Sequence, residues 1–445
     1  MSSFYKQFFW MLFACLCTTI AIAQPKNNSP FSRFGLGDIL TQNFTNLRAT
    51  PGFTNAYNNP YHVNLQNPAS LGFLQMAAFD FGVYGRNSNW ESNSLSNRIW
   101  SGNLTHLALG ITLNNPVNDL LEREVRTTSW GMAFALVPYS LVGYTVETNG
   151  IVSDEIGRVQ SQFRGEGGTN QFIWGLGYRN KQLGVGLRIG YLFGKIENIR
   201  SNIFEDLNAG FQNSFVDDFS INGFTWKLGV QYNLFLNKGE TDPRKVKILT
   251  LGVTGSSNHS LNTNTSQFYT RLNPSYVIAF LNDTIVNRNE ILGSATLPAE
   301  FGLGALFAAG SKWKAGINFD FAQWSNYRND AKPESFDDTW RVSVGGEFIP
   351  DYTSYNRFLK RVRYRIGGFI GNDPRSIDGE QIRDIGVTFG FGLPITLPRQ
   401  QISFINLSVE LGRKGANTAL QETYGEFTVG FTLNDNSWFF KRKFN

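Results

Sequence analysis

The sequence predicts an all-β protein: a closed transmembrane β-barrel of about 14 antiparallel strands with an N-terminal plug inside its lumen. Three observations predict it. Runs of roughly ten residues alternate apolar with small or polar side chains, as a strand with one greasy face must. The chain carries 39 Phe, 16 Tyr, 10 Trp and 45 Gly with few charges, yet beyond its start it has no apolar stretch long enough for a membrane helix. A stretch near the N-terminus, residues 31–74, is rich in Gly, Asn and Pro and lacks periodicity. It is still dotted with Phe31, Phe34, Leu36, Phe44, Phe53, Tyr57 and Leu65. Turn residues give such a segment a fixed irregular path, and its apolar side chains and backbone groups then need a surrounding wall.

Residues 1–23 read as a signal peptide: Lys6, an apolar core around Phe8–Ala14, and the small-residue site Ala21-Ile22-Ala23. The apolar run is short of the ~20 residues that a spanning helix needs. Cleavage after Ala23 removes Cys15 and Cys17, the only cysteines, and leaves no disulfide, thiolate ligand or cysteine nucleophile. Residues 24–74 are then the plug and 75–445 the barrel.

Strands are expected near 75–86, 103–113, 128–147, 171–180, 181–194, 219–235, 246–257, 297–309, 312–324, 337–349, 359–371, 382–393, 402–413 and 424–434. In one, Leu183, Val185, Leu187, Ile189, Tyr191 and Phe193 alternate with Gly184, Gly186, Arg188 and Gly190. Another sets Trp313, Ala315, Ile317, Phe319 and Phe321 against Lys314, Gly316, Asn318 and Asp320. Such runs match the ~9–11 residues of a tilted spanning strand. The count takes 128–147 as a single strand interrupted at Pro138, where the missing N–H should break the ladder and make a kink suited to lateral opening. Short connections such as 180–181 and 309–311 contrast with long polar ones at 195–218 and 258–294. Trp130, Tyr178, Tyr191, Trp226, Tyr232, Trp313, Trp324 and Trp340 fall near strand ends and fit interfacial girdles. A half-polar wall also accounts for a mean hydropathy of −0.23 in a membrane protein.

The formal net charge of +5 is too even and dispersed for a nucleic-acid footprint. His62, His106 and His259 match no metal spacing, and Gly184-Val185-Gly186 and Gly302-Leu303-Gly304 do not continue as phosphate loops. No catalysis and no cofactor are expected. If the apolar faces look outward, Lys314, Asp320, Arg341, Glu347, Arg361, Arg363, Arg365 and Asp384 look into the lumen on four consecutive strands. Either these charges pair across strands, or an arginine receives the carboxylate of an amphipathic ligand.

Several stretches resemble the long-chain fatty-acid and aromatic-hydrocarbon transporter family of outer membranes. Asn67-Pro68-Ala69 resembles the family's plug signature. Leu297–Tyr327 resembles its late hairpin, 338–348 and 363–369 its next two strands, and Trp130–Tyr144 an early strand pair. The resemblance implies an outer-membrane channel for hydrophobic or amphipathic small molecules, released sideways through the wall into the lipid bilayer when the plug shifts. The opening SPFSRFGLGD and the SWFFKRKFN tail depart from the better-known transporters. A non-transporting accessory or shuttle subunit of an outer-membrane protein-secretion machine therefore stays open, as does a general porin, which the plug argues against. The tripeptide is expected to touch the kink at Pro138.

Overall fold

A computed structural model describes residues 27–92, 95–114, 127–153, 157–204, 212–237, 239–240, 242, 244–272, 283–397 and 401–435. The predicted signal peptide lies outside the described residues, as do the 436–445 tail and part of each expected long loop. Among the described residues no helix is long and apolar enough to cross a membrane. The chain crosses with strands.

Eighteen strands are numbered in chain order: β1 (Asp38–Ile39), β2 (Ala77–Ser92), β3 (Leu95–Thr112), β4 (Thr128–Ser153), β5 (Gly157–Asn180), β6 (Leu183–Phe204), β7 (Gln212–Phe235), β8 (Lys247–Ser256), β9 (His259–Leu272), β10 (Asp283–Leu297), β11 (Glu300–Ala309), β12 (Trp313–Ala322), β13 (Arg328–Asn329), β14 (Thr339–Phe348), β15 (Arg363–Ile377), β16 (Glu380–Leu397), β17 (Gln401–Lys414) and β18 (Leu420–Asp435). Leaving out β1, β9, β10 and β13, the rest form a closed antiparallel ring of 14, sealed where β18 pairs with β2. Closure removes the sheet edge that hydrocarbon could not solvate. Ala77 opposite Asp435 marks the terminal end of the barrel; the other end is called distal.

Alternation decides which way each strand faces. On β11, β12, β14 and β15 the exposed residues include Phe301, Leu303, Phe307, Ile317, Phe319, Val344, Ile366 and Ile370, a band of the kind that faces lipid. Trp130, Trp226, Trp313 and Trp340 stand exposed on that outer surface, and the Trp130 and Tyr178 rings are 4.5 Å apart. Trp324 leaves the expected girdle. It is buried in the distal lumen with Tyr327, because the chain bends inward into a short 3-10 turn, Trp324–Asn326, instead of continuing β12.

The expected long loops at 195–218 and 258–294 are corrected as well. Residues 195–204 prolong β6, 212–218 begin β7, and β9 pairs with the first half of β7 and with β10 as a hairpin. β4 to β7 run for 26, 24, 22 and 24 residues, about twice a membrane crossing. Their distal halves carry hydrophilic outer residues, such as Gln162 donating to Glu147 at 2.9 Å, and so stand beyond the hydrocarbon.

Inside the distal half is an apolar core rather than a vestibule. Leu36 of the plug meets Tyr139 and Val142 of β4, Leu192 and Ile196 of β6, Phe219 and Ile221 of β7, and Trp324 and Tyr327. Each fully buried large apolar side chain contributes on the order of 1.5–3 kcal/mol. This end of the lumen is therefore a second, packed closure.

Candidate functional site

The plug fills the terminal half of the lumen through short turns, Pro30–Arg33, Thr45–Arg48, Pro51–Phe53 and Pro68–Phe73, rather than regular elements. Prolines start three of these turns and fix φ where no N–H is needed. Asn67 caps the last turn by accepting from the Ala69 N–H at 3.1 Å, while its amide donates to the Asn55 carbonyl at 2.7 Å and the Val230 carbonyl of β7 at 3.2 Å. The Asn67-Pro68-Ala69 tripeptide is thus a buried joint between two parts of the plug and the wall.

The small faces of the strands receive this backbone. Gly131, Gly177, Gly186 and Gly229 stand opposite one another on β4, β5, β6 and β7. A Cβ on Gly186 would collide with Pro68 and Ala69, and one on Gly177 with Pro68 and Gly72. Across the barrel, Gly316, Gly345 and Gly367 form a second row against Thr50–Phe53. Without side chains in these rows, the plug lies directly on the wall.

The tripeptide does not touch the kink. It faces β5, β6 and β7, and Leu71 is the residue that reaches Gly131 of β4. At Pro138 the β4–β5 ladder slips by one residue, so Pro138 opposes Asn170 and Ser140 opposes Thr169. β4 remains one strand, as expected.

On its other side β4 pairs with β3 only from Gly131–Leu136 against Leu107–Thr112, although both strands continue distally. A lateral seam opens there. The plug fills it: β1 pairs Asp38 with Leu141 and Ile39 with Ser140, the Leu40 N–H donates to the Tyr139 carbonyl at 2.9 Å, and the Ser29 N–H donates to the Gly143 carbonyl at 2.7 Å. Asn27 and Asn28 of the plug, Asn103 of β3 and Ser140–Thr145 of β4 line a cleft at this seam.

Between plug and distal core lies a polar cavity of roughly 360 Å³. Tyr139, Arg188, Arg341, Asp384, Glu410 and Glu426 are among its lining residues. The inward charges foreseen on β12 to β16 are largely paired: Lys314 with Glu347 at 2.8 Å, Arg365 with Glu347 at 2.9 Å, and Arg341 with Asp384 at 3.4 Å. Asp320 accepts from Asn55 of the plug at 2.8 Å. Arg361 departs from the expectation. It ends a short helix, Phe358–Arg361, ahead of β15, so it belongs to the connection and not to the lumen face of a strand. Among the described residues no His/Cys/Asp/Glu group is placed to hold a metal.

The family model described as BamG matches residues 5–445. The chain belongs to the BamG family. No curated protein matches. Among solved structures, a Pseudomonas aeruginosa FadL homologue is similar with a TM-score of 0.53 and 10% identity, covering 89% of this chain and 99% of that one. The Pseudomonas putida toluene transporter TodX gives 0.51 and 14%, covering 89% and 99%. At such identities the likeness is one of fold, and it agrees with the closed ring of 14 strands.

Sequence reasoning missed the pairs that hold this BamG-family plug. Arg375 of β15 is buried, binds Asp38 at 2.8 Å and Asp373 at 2.5 Å, and donates to the Phe31 carbonyl at 2.5 Å. Burial alone would raise the Asp38 carboxyl, but Arg375 and then Lys414 outweigh it and hold Asp38 below the usual carboxylate range. Arg48 pairs with Glu426 of β18. At the distal end Glu334 accepts from the Gly35 N–H and Lys332 donates to the Arg33 carbonyl, tying the plug to the inward-folded segment after β12. Apart from Asp373 and Arg375, two residues apart on β15, no local signal in the sequence pairs these residues, because the partners meet only once the ring has closed.

Proposed function

We propose that this protein is an outer-membrane channel through which a hydrophobic or amphipathic small molecule, such as a long-chain fatty acid, passes sideways between β3 and β4. The observation that carries this reading is the seam itself. Two wall strands part above Leu107 and Leu136, and residues of the plug, not of the wall, occupy the gap. A shift of residues 27–40 would open a path between the polar cavity and the bilayer without opening a hole along the barrel axis. The likeness of fold to a toluene transporter adds support. Catalysis forms no part of this reading.

A specific observation also favours a second reading, an accessory subunit that transports nothing. The lumen is closed twice, by a plug seated on glycines and by the distal apolar core, and the cavity between is polar. Reconstitution into liposomes loaded with a fatty-acid-binding reporter separates the two. A channel delivers oleate faster than protein-free liposomes do. Delivery at the protein-free rate, together with co-purification of a stoichiometric membrane protein in mild detergent, would replace the channel by the accessory subunit.

A further inference from the structure

At the terminal end of the outer wall one aromatic row crosses four neighbouring strands. Trp313 of β12 stands opposite Phe348 of β14, Phe348 opposite Tyr364 of β15, and Tyr364 opposite Phe391 of β16. The Trp313 and Phe348 rings are 4.2 Å apart, the Tyr364 and Phe391 rings meet edge-on at 5.8 Å, and Trp313 and Phe391 are exposed. Such rows mark the level at which hydrocarbon gives way to headgroups. This end also has the tight turns, 181–182 and 310–312, which in outer-membrane barrels lie on the periplasmic side.

The connection between β14 and β15, residues 349–362, leaves the barrel at this row. Ile349 and Val362 are buried and fix its two ends. Between them Tyr355 is 91% exposed, Leu359 70%, Tyr352 46% and Phe358 44%. No residue of the helix Phe358–Arg361 is buried. The backbone is nevertheless tied: the Asp351 N–H donates to the Lys360 carbonyl at 2.8 Å, and the Tyr364 hydroxyl donates to the Leu359 carbonyl at 3.1 Å. The second bond decides where the helix lies. Tyr364 belongs to the aromatic row, two residues before the outward Ile366, so the helix stands at the lipid-facing rim. A cluster of exposed apolar side chains at that level is covered by the bilayer interface.

Charge completes the pattern. Lys312 of the turn before β12 and Arg357, Lys360 and Arg361 of the connection stand against one acidic residue, Asp351, which accepts from the Thr353 N–H at 3.0 Å and its hydroxyl at 2.7 Å. Lys312 Nζ lies 5.9 Å from the Phe348 ring centre, a cation beside the aromatic row. Long basic side chains lay their stems on apolar surface and extend the charge to a lipid phosphate.

We propose that residues 349–362 are an interfacial anchor for anionic phospholipid of the periplasmic leaflet. Phe358 and Leu359 enter the boundary between headgroups and acyl chains, and Lys312, Arg357 and Lys360 hold lipid phosphates above it. The anchor is not part of the β3–β4 seam and does not depend on lateral passage.

The test places an environment-sensitive fluorophore on Asn356→Cys in the full-length protein, with Cys15 and Cys17 replaced by serine, in nanodiscs of equal parts phosphatidylcholine and phosphatidylglycerol. Asn356 is exposed within the connection and is neither one of its apolar nor one of its charged groups. The label should be shielded from acrylamide, and brominated phosphatidylglycerol should quench it roughly threefold more strongly than brominated phosphatidylcholine. With R357Q and K360Q added, the two lipids should quench equally. With F358S and L359S added, the label should open to acrylamide. A label on Asn149→Cys, exposed on the distal extension of β4, should be open to acrylamide throughout. Heat-modifiability on gels checks that the ring is closed in each variant. A label at position 356 as open as the one at 149 overturns the anchor and leaves the exposed side chains to a protein partner. Equal quenching by the two lipids before any charge is removed overturns the anionic-lipid site.

Discussion

Leu107 of β3 and Leu136 of β4 are the last residues paired across their seam, and directly beyond them the partner on the β4 side is the plug. A wall that borrows a strand from its own plug is closed only while that strand stays. Ile39 opposite Ser140 is the most direct handle on it. With Ile39→Cys and Ser140→Cys, cross-linking should lock the seam, stop oleate delivery to liposomes and let it recover on reduction. Cys15 and Cys17, the only native cysteines, are replaced by serine in this background. A locked protein that delivers at the wild-type rate would rule out the seam as the route.

The glycine rows predict how the plug fails. Gly186 lies against Pro68 and Ala69, and Gly345 against Thr50. A β-branched side chain at either position cannot be relieved by a small rotation, because at Gly186 the opposing atoms are backbone. Gly186→Val should lift the plug while leaving the ring of 14 strands intact. Limited proteolysis should then cut within residues 31–70, and single-channel conductance should rise. Gly150 has open space around it, so Gly150→Val is the matched control and should change neither.

Strand positions were legible because membrane burial imposes a strict alternation, and Val185, Tyr191, Ile317 and Phe319 are exposed on the outer surface as that pattern requires. The strand count survived Pro138 because a one-residue slip, not a break, absorbs the missing donor. The distal halves of β6 and β7 were illegible for the complementary reason. Outside hydrocarbon the outer face turns hydrophilic, and the pattern that marks a strand becomes the pattern that marks a loop. Gly184 and Gly186 were recognisable as a small face, but their purpose depends on Pro68 and Ala69 being laid against them, which only the closed ring decides. Arg361 was misassigned because a basic residue two positions before Arg363 fits the alternation equally well on a strand or a turn.

Glu347 is the pivot of the terminal charge group, bonded to both Lys314 and Arg365. Glu347→Gln keeps the shape and removes the charge that balances the buried Arg365 and the partly buried Lys314. Breaking a buried pair in this way costs about 3–5 kcal/mol. The heat-modifiability transition on gels should move to lower temperature by more than in Asp351→Asn, a change in the exposed connection between β14 and β15. Equal shifts would mean that the Glu347 pairs contribute nothing beyond a surface charge.

Acid should release the plug late. Asp38 is held below the usual carboxylate range by Arg375 and Lys414 against the opposing effect of burial. A carboxyl whose folded pKa is depressed contributes stability that is fully present above its unfolded pKa of about 3.9 and is lost as pH falls through the lower folded value. The β1–β4 pairing should therefore hold at pH 7 and at pH 5 and weaken only below about 4. A spin-label pair at Ile39 and Ser140 would read this as a distance that lengthens only at the acid end. In Asp38→Asn the charge is absent at every pH, Arg375 keeps only Asp373 and the Phe31 carbonyl, and the distance should already be broadened at pH 7 and flat with pH. If the wild-type distance instead changes between pH 6 and 7, a histidine and not Asp38 controls the seam.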